Sequence, residues 1–104
     1  MERTCFTFEL IAGQEEEYER RHRAVWPELV DQLQANGVRN YTIFRRGRTI
    51  IAYAECEPDA ETAFGKVGAT DVNRRWSEWF GDVIVALNDE RGQPFGAREV
   101  WHLD

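Results

Sequence analysis

Two histidines occur in the chain, and one of them stands where an imidazole could exchange protons. His22 follows Tyr18 by four residues and precedes Trp26 by four, so all three fall on roughly one face of a helix. Val25, Leu29 and Leu33 continue a neighbouring apolar stripe, and the plainer interpretation is a core face with one hydrogen-bonded histidine. The alternative rests on Pro27, which has no N–H to donate and disfavours the helical conformation of Trp26. Carbonyls just before it lose their partners, leaving a polar, wet place near a helix C-terminus. Such a place suits a group that gains and loses protons, and an unperturbed imidazole does both near neutral pH. His102, beside Trp101 in a terminal segment, reads as structural or surface.

Three further aromatic positions bear on the same chemistry. Tyr41 is expected on a strand, pointing to the same side as Ile43, either half-buried or facing a ligand. Trp76, Trp79 and Phe80, followed by Val83 and Ile84, have the spacing of a core-facing helix. Trp79 and Phe80 are assigned to that core. Trp76, after Arg74-Arg75, is placed at the helix edge, where an indole can stack on the apolar face of a sugar. Asp71 is read as an N-cap. No P-loop, GxGxxG, HExxH or GxSxG is present, and the glutamates read as solvated helix charges.

The elements that must position these residues follow from pattern. Residues 4–10 alternate, with Phe6, Phe8 and Leu10 on one side, and form a strand. After Gly13 a helical stretch runs to about Ala35, with Glu15, Glu16 and Glu17 in its first turn and Asn36-Gly37 at its end. Pro27 either kinks this stretch or opens a second helical piece. Residues 38–45 and 48–56 make a hairpin around Arg46-Gly47, and Pro58-Asp59 caps a short helix over about 60–67. A helix from Thr70-Asp71 to about Phe80 follows, then a loop over 86–97 and a closing strand over 98–103. The order βαββαβ is that of a ferredoxin-like α+β sandwich in a single domain, residues 1–104. Helices cover one face of such a sheet. Pairing with a second copy would cover the other, and Cys5 and Cys56 could lie opposite each other on neighbouring strands.

Composition narrows the partners. Thirteen Lys+Arg against nineteen Asp+Glu leave a net charge of −6, the wrong sign for nucleic acid or an anionic membrane surface. No apolar run approaches the roughly 20 residues of a bilayer span. The start Met1-Glu2-Arg3-Thr4 lacks the character of a signal peptide. Two cysteines without CxxC spacing read as reduced thiols, so a cytoplasmic protein is expected. Four tryptophans in 104 residues are the one compositional oddity and ask for a use.

The run Tyr18-Glu-Arg-Arg-His22-Arg-Ala-Val-Trp26-Pro27-Glu28 resembles the signature helix of the L-rhamnose mutarotase family. Gly37-Val-Arg-Asn40-Tyr41 and Thr70-Asp71-Val72-Asn-Arg-Arg75-Trp76 look like its second and third motifs, in the right order and over essentially the whole chain. The resemblance implies a cytoplasmic homodimer of ferredoxin-like subunits, a dimeric α/β barrel. It would interconvert the α and β anomers of a monosaccharide, L-rhamnose, with no metal or cofactor. It carries a proton-donor role to His22 and sugar contacts to Tyr18, Tyr41 and Trp76. One departure stands out: Ser77 occupies the place of the family's usual second Trp, which widens or polarises one wall of the pocket. Two competing functions fit the same small aromatic fold, a cofactorless monooxygenase and a non-catalytic sugar-binding protein.

Overall fold

The computed structural model describes residues 1–104. Strand β1 (Glu2–Glu9) is followed by helices α1 (Glu15–His22) and α2 (Pro27–Ala35), the hairpin strands β2 (Val38–Arg46) and β3 (Thr49–Cys56), and helices α3 (Ala60–Gly68) and α4 (Asp71–Trp79). A 3-10 turn over Phe80–Asp82 and a two-residue strand β4 (Gly96–Ala97) complete the chain. The antiparallel sheet has the order β2-β3-β1-β4, the ferredoxin-like arrangement. No helix is long and apolar enough to cross a membrane.

Local chemistry accounts for the helix boundaries. Pro27 opens α2, where its missing N–H is no loss, and Trp26 before it is extended, so the expected kink is resolved as two helices. The Asp59 side chain caps α3 by accepting from the Thr62 N–H at 2.8 Å. The cap of α4 is Thr70, which accepts from Asn73 at 3.3 Å, and not Asp71. Asp71 lies one residue inside and pairs with Arg74 and Arg75. Val83 and Ile84 lie beyond the helix, because the chain turns at Phe80 and Ile84 bridges to Leu10.

Strand parity sorts the sheet into two faces. Phe6, Phe8, Ile50, Ala52, Ala54 and Cys56 face the helices. The core lies there in two clusters, one around Leu29, Val38, Ala54 and Val72, the other around Phe8, Leu10, Tyr18, Ile50 and Phe80. Trp76 packs against both and marks the seam between them. The opposite face, with Arg3, Cys5, Ile51, Tyr53 and Phe44, carries no helix.

Two expectations are corrected. The register sets Cys5 opposite Tyr53 and Cys56 opposite Glu2, so the thiols point to different faces and both are free. The closing strand is not at 98–103: only Gly96 and Ala97 pair with β1, and the chain beyond leaves the sheet. An apolar pattern marks a segment as able to extend, but a strand also needs backbone pairing with a neighbour, and that pairing stops at Ala97.

Candidate active site

His22 is the last residue of α1. Its Nδ1 lies 2.9 Å from the Tyr18 carbonyl oxygen, one helical turn back. A carbonyl only accepts, so in the neutral ring the proton sits on Nδ1 and Nε2 carries the lone pair. Nε2 makes no hydrogen bond in the chain, yet it is not sealed from solvent. Burial lowers the imidazole pKa below its ordinary 6.5, and the Tyr18 carbonyl opposes this only in part. The resting group is a neutral imidazole with a free acceptor nitrogen.

Aromatic rings surround it on three sides. The Tyr18 ring lies 4.3 Å from the imidazole centroid, Phe80 lies at 5.2 Å, and Trp76 meets it edge-on at 5.5 Å and 88°. Tyr18 is buried in its ring, while its hydroxyl has no partner within the chain and is not sealed. Burial, and secondarily the neighbouring Tyr41 phenol, push the Tyr18 pKa up, so the hydroxyl stays a neutral donor.

Tyr41 reaches this region through a bulge. Asn40 and Tyr41 together oppose a single residue of β3, and Asn40 takes the left-handed conformation at φ 47°. From the buried Val38, simple alternation would send Tyr41 to the helix-free face. The extra residue re-aims it to the side of Ile43, where its ring meets Phe64 at 5.6 Å and Phe6 at 6.4 Å. Tyr41 keeps 37% of its surface exposed, while desolvation of the phenol group pushes its hydroxyl up to about 12. Tyr18, His22 and Trp76 therefore form one contiguous group, with Tyr41 reaching it through its phenol and the Phe6 ring.

This constellation holds one acceptor nitrogen, neutral phenolic donors and an indole wall. No group of His, Cys, Asp and Glu side chains is arranged to hold a metal ion. Such an arrangement is chemically able to exchange a proton with a small hydroxylated molecule.

The comparisons with known proteins bear on which molecule that is. The L-rhamnose mutarotase family profile matches residues 3–103. The chain is 38% identical to the L-rhamnose mutarotase of Opitutus terrae and 32% identical to that of Lachnoclostridium phytofermentans, each over the full length of both chains. The crystal structure of the Formosa agariphila L-rhamnose mutarotase superposes with a TM-score of 0.79 over all of both chains, at 25% identity. The chain belongs to the L-rhamnose mutarotase family.

Against that family pattern, the four tryptophans divide by contact. Trp76 touches His22. Trp26 meets Trp76 edge-on at 5.0 Å and stacks on Trp79 at 5.4 Å and 12°. Trp79 is 38% exposed, so it is not the core residue its spacing suggests. It extends the indole wall outward, on the helix that also carries Ser77. Trp101 touches no ring of the site and is exposed.

Arg21 is the residue that spacing missed. It is the one buried charged side chain in the molecule. Its Nε donates to Glu17 at 2.6 Å, and its Nη1 donates to the Trp79 carbonyl at 2.7 Å and to Asp82 at 3.3 Å. The guanidinium also lies 4.5 Å over the Trp79 ring. Arg21 thereby ties α1, which carries His22, to the end of α4, which carries the indole wall. The i, i+4 pairing with Glu17 was visible in sequence, whereas the contacts with residues 79 and 82 were not. Arg20 and Arg21 together hold the Glu17 carboxyl down to about 2.

Proposed function

We propose that this protein interconverts the α and β anomers of L-rhamnose, with His22 as the proton carrier and Tyr18, Tyr41 and Trp76 as sugar contacts. The observation that carries this reading is the His22 tautomer, because its Nε2 is a free acceptor set between a phenol and an indole. In mutarotation the anomeric hydroxyl loses its proton, the C1–O5 bond breaks to give the open aldehyde, and O5 gains a proton. Neutral His22 takes the O1 proton on Nε2 and, as imidazolium, delivers it to O5. Both oxygens are bonded to C1, so one nitrogen can serve both. Rotation about C1–C2 and the reverse transfer close the ring on the other face. His22 is thus the donor that the family resemblance implies, but acts first as acceptor.

The Tyr18 hydroxyl, unpartnered and neutral, is suited to hold a sugar hydroxyl, and the Trp76 ring to cover an apolar sugar face. Ser77 removes bulk from the same wall, and Trp79 supplies an outer ring.

Saturation-transfer NMR between the anomers of L-rhamnose tests the proposal. Purified protein should raise the exchange rate, and His22→Ala should lose most of that acceleration while staying folded. No acceleration by wild type would refute the assignment. Sugar binding with equal exchange rates in wild type and His22→Ala would leave only a sugar-binding protein.

A homodimer formed through the helix-free sheet face completes this reading. It is supported by Phe44, which that face leaves 58% exposed. A cytoplasmic location is supported by the two free thiols. The net charge of −6 supports a partner that is not nucleic acid.

A further inference from the structure

Tyr41 owes its place in the site to the bulge in β2, and that bulge is fastened by side chains. Asn40 and Tyr41 together oppose Ala54, between the pairs Arg39–Glu55 and Thr42–Tyr53. Asn40 is the one non-glycine residue of the chain with a positive φ, 47°. That conformation costs free energy in any residue with a Cβ, although asparagine tolerates it better than most. The extra residue of a bulge also has no ladder partner, so something outside the ladder must hold it.

The holder is the Glu55 carboxylate. Asn40 Nδ2 donates to its Oε1 at 2.8 Å, and the Tyr53 hydroxyl donates to its Oε2 at 2.7 Å, so both oxygens are engaged. Thr42 Oγ1 adds a bond to the Asn40 carbonyl at 3.3 Å. Arg39 and Arg3 are the cross-strand neighbours of Glu55 on its two sides. The Tyr53 hydroxyl first, and then the Asn40 amide, hold the Glu55 carboxyl below its ordinary value, so it is an ionised acceptor at neutral pH. Ala54 and Cys56 face the helices, so Glu55 between them faces away. The clamp therefore lies on the opposite side of the sheet from the site, and Tyr41 is its route to the sugar.

We propose that Asn40 and Glu55 are positioning residues of the sugar site: their amide–carboxylate clamp holds the bulge that aims the Tyr41 hydroxyl at the sugar. This rests on Tyr41 being a sugar contact, as proposed above. Loss of the clamp loosens a binding contact and leaves His22 in place, so it raises KM and spares kcat.

Saturation transfer over a range of L-rhamnose concentrations at pH 8 separates the two constants, with circular dichroism as the check on folding. Tyr41→Phe should raise KM about tenfold, the loss of one hydrogen bond. Asn40→Asp keeps the size and the tolerance of positive φ but sets a carboxylate against Glu55. It should raise KM about as much, with kcat within about twofold of wild type. Glu55→Ala removes the acceptor without adding charge and should do the same, which carries the test if Asn40→Asp does not fold. In the Asn40→Asp/Glu55→Gln double variant, donor and acceptor exchange ends, and KM should return to within about threefold of wild type. Either clamp change added to Tyr41→Phe should have no further effect, because all act through one hydroxyl. A wild-type KM in Asn40→Asp or Glu55→Ala overturns the clamp and leaves the Tyr41 contact standing. So does a double variant that is not rescued, or a clamp change that costs as much in the Tyr41→Phe background as in wild type. A wild-type KM in Tyr41→Phe overturns both the contact and the clamp.

Discussion

Lowering the pH through the imidazole titration distinguishes two roles for His22 that a static site leaves similar. With Nδ1 committed to the Tyr18 carbonyl, the neutral ring offers Nε2 as an acceptor, and burial places the pKa below 6.5. If neutral His22 begins the reaction, kcat/KM for anomer exchange is flat above pH 7. It bends at a midpoint below 6.5 and then falls about tenfold per pH unit. If imidazolium begins it, the rate instead falls as pH rises through the same midpoint, and little activity remains at pH 8. Saturation transfer between the two anomeric protons, corrected for the buffer-catalysed rate at each pH, reads this directly. His22→Ala should lose about 10²–10⁴-fold and show no bend. A profile that rises toward acid in wild type and is flat in His22→Ala would refute the acceptor-first scheme. The same shift links to stability. The folded pKa lies below the unfolded value, so the unfolded chain binds more protons in that window. The contribution is present above pH 6.5 and is lost as pH falls from there through the folded pKa. Denaturation of His22→Gln should lack that component.

Other consequences follow from single contacts. Tyr18→Phe should leave the urea midpoint nearly unchanged, because its hydroxyl has no partner in the chain, while raising KM in the exchange assay. Arg21→Met removes the donors to Glu17, Asp82 and the Trp79 carbonyl. A loss of about 2–4 kcal/mol in urea denaturation is expected, with a drop in kcat as α1 and α4 lose their tie. Gly37 has φ +96°, and a Cβ there would lie 2.2 Å from the Glu57 carbonyl oxygen. Gly37→Ala should therefore cost at least about 1–3 kcal/mol by thermal denaturation, with the exchange rate per folded molecule unchanged.

Much of the molecule was legible without coordinates, for physical reasons that differ from element to element. Alternation in β1 and β3 sorts their residues into faces, because a strand has period two whatever it pairs with. Pro27 ends one helix and starts another by the chemistry of its own ring. The Tyr18–His22 contact is equally local, since residues four apart on a helix meet. The order βαββαβ follows from these elements, and with it the one-sided sheet. What sequence could not supply was everything that depends on one element's placement against another. Trp76 reaches His22 because α4, packed on α2 and α3, brings its C-terminal half to the end of α1, and Trp79 at that end stays 38% exposed. Tyr41 faces the site only because a bulge at Asn40 reverses the parity of β2. The same register separates Cys5 from Cys56. Arg21 is buried by contacts from residues 79 and 82, which no local spacing encodes. The pattern of 98–103 predicts a closing strand, but only Gly96 and Ala97 pair with β1. Where that pairing stops is decided by the tertiary structure, because a strand lasts only as long as both backbones keep register along their shared edge.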